Sequence, residues 1–239
     1  MWSGPRNVST ALMYSFRQRA DTEVVDEPLY GHYLNASAEA EHPGREAVIE
    51  AMDCDGPRVI RRTLLKPRAQ SAPVRFFKNM AHHLRGLPSW SFLDDLTNAL
   101  LIRDPREMLP SLAEQFDEPA LPDTGLEEQV ALLDRVVEGG HAPLVLDARE
   151  LLLDPEGVLR TLCGRLGLDF DPAMLHWPAG PKPEDGVWAA HWYDGVHAST
   201  GFDPYEPKTT PFPERLRPLL EQCAPLYDRL REHMIEAPG

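Results

Sequence analysis

Short apolar runs alternate with amphipathic stretches along most of this 239-residue chain, and that alternation limits the folds open to it. Residues 24–25, 59–63, 74–77, 99–102 and 144–146 are brief and apolar, bounded by polar residues, proline or glycine. Strands buried on both faces read this way. Residues 9–20, 44–52, 105–116, 126–137, 155–166 and 213–234 carry apolar side chains at helical spacing. Strand and helix in turn predict one α/β domain over residues 1–239, three layers deep (α/β/α), with a mainly parallel central sheet. The first loop already begins at Ser3, so only Met1 and Trp2 remain for a strand ahead of it. That strand is expected to be truncated, with the natural start upstream.

Charge narrows the partners. A formal net charge of −14 argues against a nucleic acid or an anionic membrane. Residues 55–106 nevertheless hold ten Lys and Arg against four Asp and Glu. This basic island suits either a small anionic ligand or buried strands with flanking arginines. No apolar run approaches the ~18 residues of a membrane span, and no charged-then-apolar leader opens the chain. Cys54, Cys163 and Cys223 are odd in number and widely spaced. They point to a reducing, cytoplasmic setting.

Two segments carry chemistry. Ser3-Gly4-Pro5-Arg6-Asn7-Val8-Ser9-Thr10 runs straight into a helical pattern. Main-chain amides at a helix start, with hydroxyls and one cation, form an anion cradle; the simpler reading is a helix capped by Ser9 or Thr10. The Gly-Lys-Ser/Thr ending of a Walker A loop is missing. In the second segment an apolar strand ends at Ile102, followed by Arg103-Asp104-Pro105-Arg106-Glu107 and, further on, Ser111. Asp104 is the expected N-cap, Pro105 fits the first helical position, and Glu107 would complete a capping box. Arg103 and Ser111 then lie at the strand end where open α/β folds bind ligands, and Arg106 reads as solvated. Residues 178–213, with seven prolines, read as a lid or as a segment wrapping the core.

Taken together, the two segments resemble those of sulfotransferases that use 3′-phosphoadenosine 5′-phosphosulfate (PAPS). Pro5 to Thr10 is similar to that family's Pro-Lys/Arg-Ser-Gly-Thr-Thr loop, and Arg103 to Ser111 to its Arg-x-Pro…Ser element. Residues 147–172 resemble its later Glu-Asp-Leu…Asp-Pro region. The resemblance implies a P-loop NTPase-like fold and a transferase with PAPS as donor, a small-molecule acceptor and no metal. It implies that Arg6, Ser9 and Thr10, with the backbone of Asn7 and Val8, hold the 5′-phosphosulfate. Arg103 and Ser111 would hold the 3′-phosphate. Val8 replaces the usual loop glycine, so the backbone there is expected to manage without positive φ. The family's C-terminal Arg-Lys-Gly segment is not visible, and Ser199-Thr200-Gly201 is the expected stand-in.

Lys78, at the end of the 74–77 strand, resembles the family lysine that supplies positive charge to the leaving phosphate. The base has three candidates. Glu27 resembles the glutamate that follows the first loop and helix in several bacterial and carbohydrate sulfotransferases. His82 and His83 resemble more loosely a histidine near the lysine. Histidine has the more convenient pKa, while Glu27 needs burial to raise its own and is favoured by position. The competing readings are an ATP-dependent phosphotransferase, with Asp26 or Asp147 on Mg²⁺, and a nucleotide-binding protein without catalysis.

Overall fold

The computed structural model describes residues 1–37, 42–67 and 69–235. In chain order the strands are β1 (Trp2–Ser3), β2 (Thr22–Asp26), β3 (Val74–Met80), β4 (Ala99–Ile102) and β5 (Leu144–Asp147). The α-helices are α1 (Ser9–Arg17), α2 (Tyr30–Ala36), α3 (Arg45–Ala51), α4 (Gly56–Val59), α5 (Pro105–Leu112), α6 (Leu121–Thr124), α7 (Leu126–Glu138), α8 (Ala148–Leu153), α9 (Pro155–Leu166), α10 (Ala189–Trp192), α11 (Asp194–Ala198) and α12 (Arg217–Arg231). The α/β class expected from the alternation is present, and the β1–β4, β2–β3 and β4–β5 ladders are parallel. None of the described helices is long and apolar enough to cross a membrane.

The chain divides into two compact units. The first comprises residues 1–9, 98–170 and 203–239. In it β1 is short but paired, Trp2 with Leu100 and Ser3 with Leu101, and β4 continues onto β5. Leu100, Leu101 and Ile102 are buried, each contributing roughly 1.5–3 kcal/mol of apolar burial. Asp104 caps α5 by accepting from the Arg106 amide, and Pro110 is tolerated inside that helix. No capping box forms there, because Glu107 turns to Arg103 instead. The C-terminal helix α12 sends Tyr227 Oη to Asp147 Oδ2 at 2.7 Å.

The second unit comprises residues 10–97 and 171–202. Its β2–β3 ladder sets Asp26 opposite Lys78. Phe16 stacks on Phe76 with centroids 4.3 Å apart, and Tyr30, Tyr33, Leu34, Val48, Trp188, Ala189 and Tyr193 form one buried cluster. Residues 59–63, expected as a strand, are helical: α4 runs into a π-turn at Ile60–Leu64. Asp55 accepts from the Arg58 amide and Pro57 occupies the first turn, so a helix starts there. Residues 178–202 carry α10 and α11 and bury Trp188 and Tyr193, as a segment built into the core does.

Candidate active site

In the first unit, β1 ends at Ser3 and the chain turns sharply before α1. Arg6 and Val8 both take the left-handed region, with φ of 60° and 56°. The expectation for Val8 is therefore corrected: it adopts the glycine-like angle despite its branched side chain. That conformation costs on the order of 1–3 kcal/mol and persists only where the surroundings enforce it. Because α1 starts at Ser9, Ser9 and Thr10 lie inside its first turn. The residue ahead of them, Val8, has no side-chain oxygen to cap the helix, so the simple capping reading lapses.

The two arginines converge. Arg6 Nε donates to Ser111 Oγ at 2.9 Å, and Arg103 Nη1 donates to the Arg6 carbonyl at 2.8 Å. Arg103 Nε also reaches Glu107 Oε2 at 3.2 Å, and Tyr205 Oη donates to Glu107 Oε1 at 2.5 Å. Lys208 is exposed and coupled to the group only through its charge. Partial burial lowers its pKa, and the charge of Arg103 lowers it further; Glu114 and Glu107 oppose, and Arg6 adds to the lowering. Burial likewise lowers the Arg6 pKa, Glu114 opposing and Arg103 assisting. Two converging guanidinium groups, with the charge of Lys208 added, suit an anion. Sequence reasoning missed Lys208 because residues 203–212 have no periodicity that would place them. Ser199, the expected stand-in, accepts from Trp177 Nε1 at 3.1 Å and donates to the Val196 carbonyl at 2.8 Å.

In the second unit, Lys78 is 1 % exposed and lies among Asp26, Glu27 and Tyr193. Its Nζ donates to Asp26 Oδ1 at 3.0 Å, and also to Glu27 Oε1. Tyr193 Oη donates to Asp26 Oδ2 at 2.7 Å and accepts from Trp188 Nε1 at 3.1 Å. Glu27 follows β2 with φ of 40°, and its amide donates to the Lys78 carbonyl at 2.8 Å. One ammonium thus serves two buried carboxylates, and the crowding resists ionisation of Glu27. Burial pushes the Glu27 carboxyl up to about 7, against the pull of Lys78 and with the help of the Asp26 charge. Burial disfavours the Lys78 ammonium, but Asp26 and Glu27 outweigh it and raise the Lys78 pKa. Glu27 therefore combines a pKa near neutrality with a fixed position, as a general base needs.

The histidines are less suited. His83 Nε2 lies 3.9 Å from Glu27 Oε2, beyond hydrogen-bond distance, and its ring stacks on Tyr30 and Tyr33 with centroids 4.6 and 5.0 Å away. His82 meets the edge of Tyr33 at 4.9 Å. Burial, joined by neighbouring positive charge, lowers both imidazole pKa values well below the ordinary histidine value, so both rings are neutral. The carboxylates that an ATP-dependent enzyme would need are engaged otherwise. Asp26 takes Lys78 and Tyr193, while Asp147 caps α8 through the Arg149 amide and accepts from Tyr227.

Comparison with known proteins covers nearly the whole chain. A family model described as a sulfotransferase domain matches residues 1–234. Two Arabidopsis thaliana proteins, branched-chain-amino-acid aminotransferase-like proteins 2 and 1, are 42% and 44% identical to this chain over 98% of its length. The chain spans only 41% of either relative. Among solved structures, the sulfotransferase domain of the Synechococcus PCC 7002 olefin synthase is similar in fold, with a TM-score of 0.50 at 17% identity. That likeness covers 93% of this chain and 92% of the other.

Proposed function

The chain belongs to the sulfotransferase domain family, and from that premise we propose that it moves a sulfuryl group from PAPS to a hydroxyl or amine of a small molecule in the cytoplasm. The observation that carries this reading is the meeting of Arg6, Arg103 and Ser111 at a loop held in two left-handed turns. A nucleotide phosphorylated at both ends needs several placed cations, whereas a solvated surface needs none. Main-chain amides at the start of α1, with Arg6, Ser9 and Thr10, take the phosphosulfate. Arg103, Ser111 and Lys208 take the 3′-phosphate, Lys208 in the role assigned from sequence to Ser199.

Glu27 and Lys78 divide the chemistry. The ionised Glu27 carboxylate accepts the proton of the acceptor O–H or N–H as the new bond to sulfur forms. The bond between sulfur and the bridging phosphate oxygen breaks, and its electron pair leaves with that oxygen. Lys78 supplies positive charge to it, so the products are the sulfated acceptor and adenosine 3′,5′-bisphosphate. Asp26 and Tyr193 keep Lys78 charged and oriented.

The direct test is ligand stabilisation. Adenosine 3′,5′-bisphosphate without metal is expected to raise the melting temperature, as any ligand of the folded state does. A rise with Mg-ATP and none with the bisphosphate would replace the donor assignment with a phosphotransferase.

A further inference from the structure

The strained turns at Arg6 and Val8 flank a residue whose side chain is turned into the fold. Asn7 is buried, and its Nδ2 donates to the Leu101 carbonyl of β4 at 3.2 Å. Gln129, on α7 and fully buried, donates to the same carbonyl at 2.9 Å and to the Trp2 carbonyl of β1 at 3.3 Å. Neither Asn7 Oδ1 nor Gln129 Oε1 has a hydrogen-bond partner among the described residues, so each amide holds the strands through its donor end alone. The loop is packed closely at Gly4. A Cβ on Gly4 would come within 2.6 Å of the Thr124 carbonyl and 3.1 Å of Asn7 Nδ2.

A valine relaxes out of the left-handed region unless something holds it there. Here the hold is internal: Asn7 ties the middle of the loop to β4, and Gln129 ties β4 to the short β1 from which the loop springs. We propose that Asn7 and Gln129 are positioning residues that keep Arg6 and Val8 left-handed before any donor arrives, so that the loop amides already face the anion. This rests on the donor-loop reading above. It assigns the Asn7 side chain to the fold and leaves only its amide for the ligand.

The test is a rescue. Asn7→Ala is expected to weaken adenosine 3′,5′-bisphosphate about tenfold, the loss of one hydrogen bond. It should raise the donor KM while leaving kcat at saturating donor within about twofold. Adding Val8→Gly to Asn7→Ala is expected to restore at least about threefold of the affinity, because glycine has no reason to leave the left-handed region. An unaltered affinity in Asn7→Ala, or a second loss on adding Val8→Gly, overturns the proposal. Amide hydrogen exchange of residues 4–9 in the ligand-free protein reads the anchor without any nucleotide. Exchange should quicken there in Asn7→Ala and in Gln129→Met, and unaltered protection in the folded Asn7→Ala protein also overturns the proposal. Quickened exchange in a protein that never binds the bisphosphate would sink the donor reading and uphold the anchor.

Discussion

Asp26 and Lys78 are register partners across the parallel β2–β3 ladder, and their side chains meet at 3.0 Å inside the protein. The pairing brings the ammonium within reach of the next residue, Glu27, whose burial sets its proton affinity. The charge state of this trio governs the first two expectations.

Glu27→Gln should lower kcat by about 10²–10⁴-fold, the usual contribution of a general base, and leave bisphosphate affinity unaltered. Steady-state kinetics of Glu27→Gln beside His82→Ala decide between the candidates. Activity lost in His82→Ala and kept in Glu27→Gln would remove Glu27 from its role. In the wild-type protein, kcat/KM should rise with pH through about 7, where the Glu27 carboxyl ionises.

Stability should respond in the opposite sense. The folded protein holds the Glu27 proton more tightly than the unfolded chain does, since its carboxyl moves from 4.5 to about 7. That favourable contribution is complete below the unfolded value and is lost as pH climbs through the folded one. Urea unfolding at several pH values should show the advantage of wild type over Glu27→Gln shrinking between pH 4.5 and 7. An advantage that grows over this interval would refute the assignment.

Tyr193→Phe removes a hydroxyl that donates to Asp26 and accepts from Trp188. It also accepts from Lys78, and all three partners stay buried, so about 1–3 kcal/mol of stability should be lost. Urea titration checks this, and an unaltered midpoint would mean that the hydroxyl contributes nothing to holding the cluster.

Arg103→Ala should weaken the bisphosphate by roughly 1.5–3 kcal/mol, as expected for a charged hydrogen bond. Lys208→Ala should weaken it too, and Ser199→Ala should leave it unaltered, since that hydroxyl already joins Trp177 to the Val196 carbonyl. Calorimetric titration of the three variants would reverse the choice between Lys208 and Ser199 if the losses came out the other way round.

Much of this arrangement was legible in the amino-acid order. Residues 99–102 and 144–146 are unbroken apolar runs next to polar stops, and they became β4 and β5 with ends shifted by at most a residue. Residues 59–63 misled because Val59 and Ile60 look like strand formers, while the deciding signals, Asp55 and Pro57, lie upstream. Arg6, Arg103 and Ser111 could be singled out from their segments because a helix start and a strand end fix where such residues lie, but the bond from Arg6 to Ser111 could not be read there. Tyr193 and Lys208 could not, since both come from an irregular stretch whose path depends on tertiary packing. Val8 was misjudged for a related reason: side-chain preference argued against positive φ, and the anchoring of the neighbouring Asn7 prevailed.

Neighbouring residues on a regular strand send their side chains to opposite sides, yet Asp26 and Glu27 grip the same nitrogen. The φ of 40° at Glu27 makes this possible by swinging the second carboxylate round to join the first. The pincer is thus a property of one backbone torsion as much as of two acidic groups. Transplanting the pair onto an ordinary strand terminus would deliver the same charges without the grip.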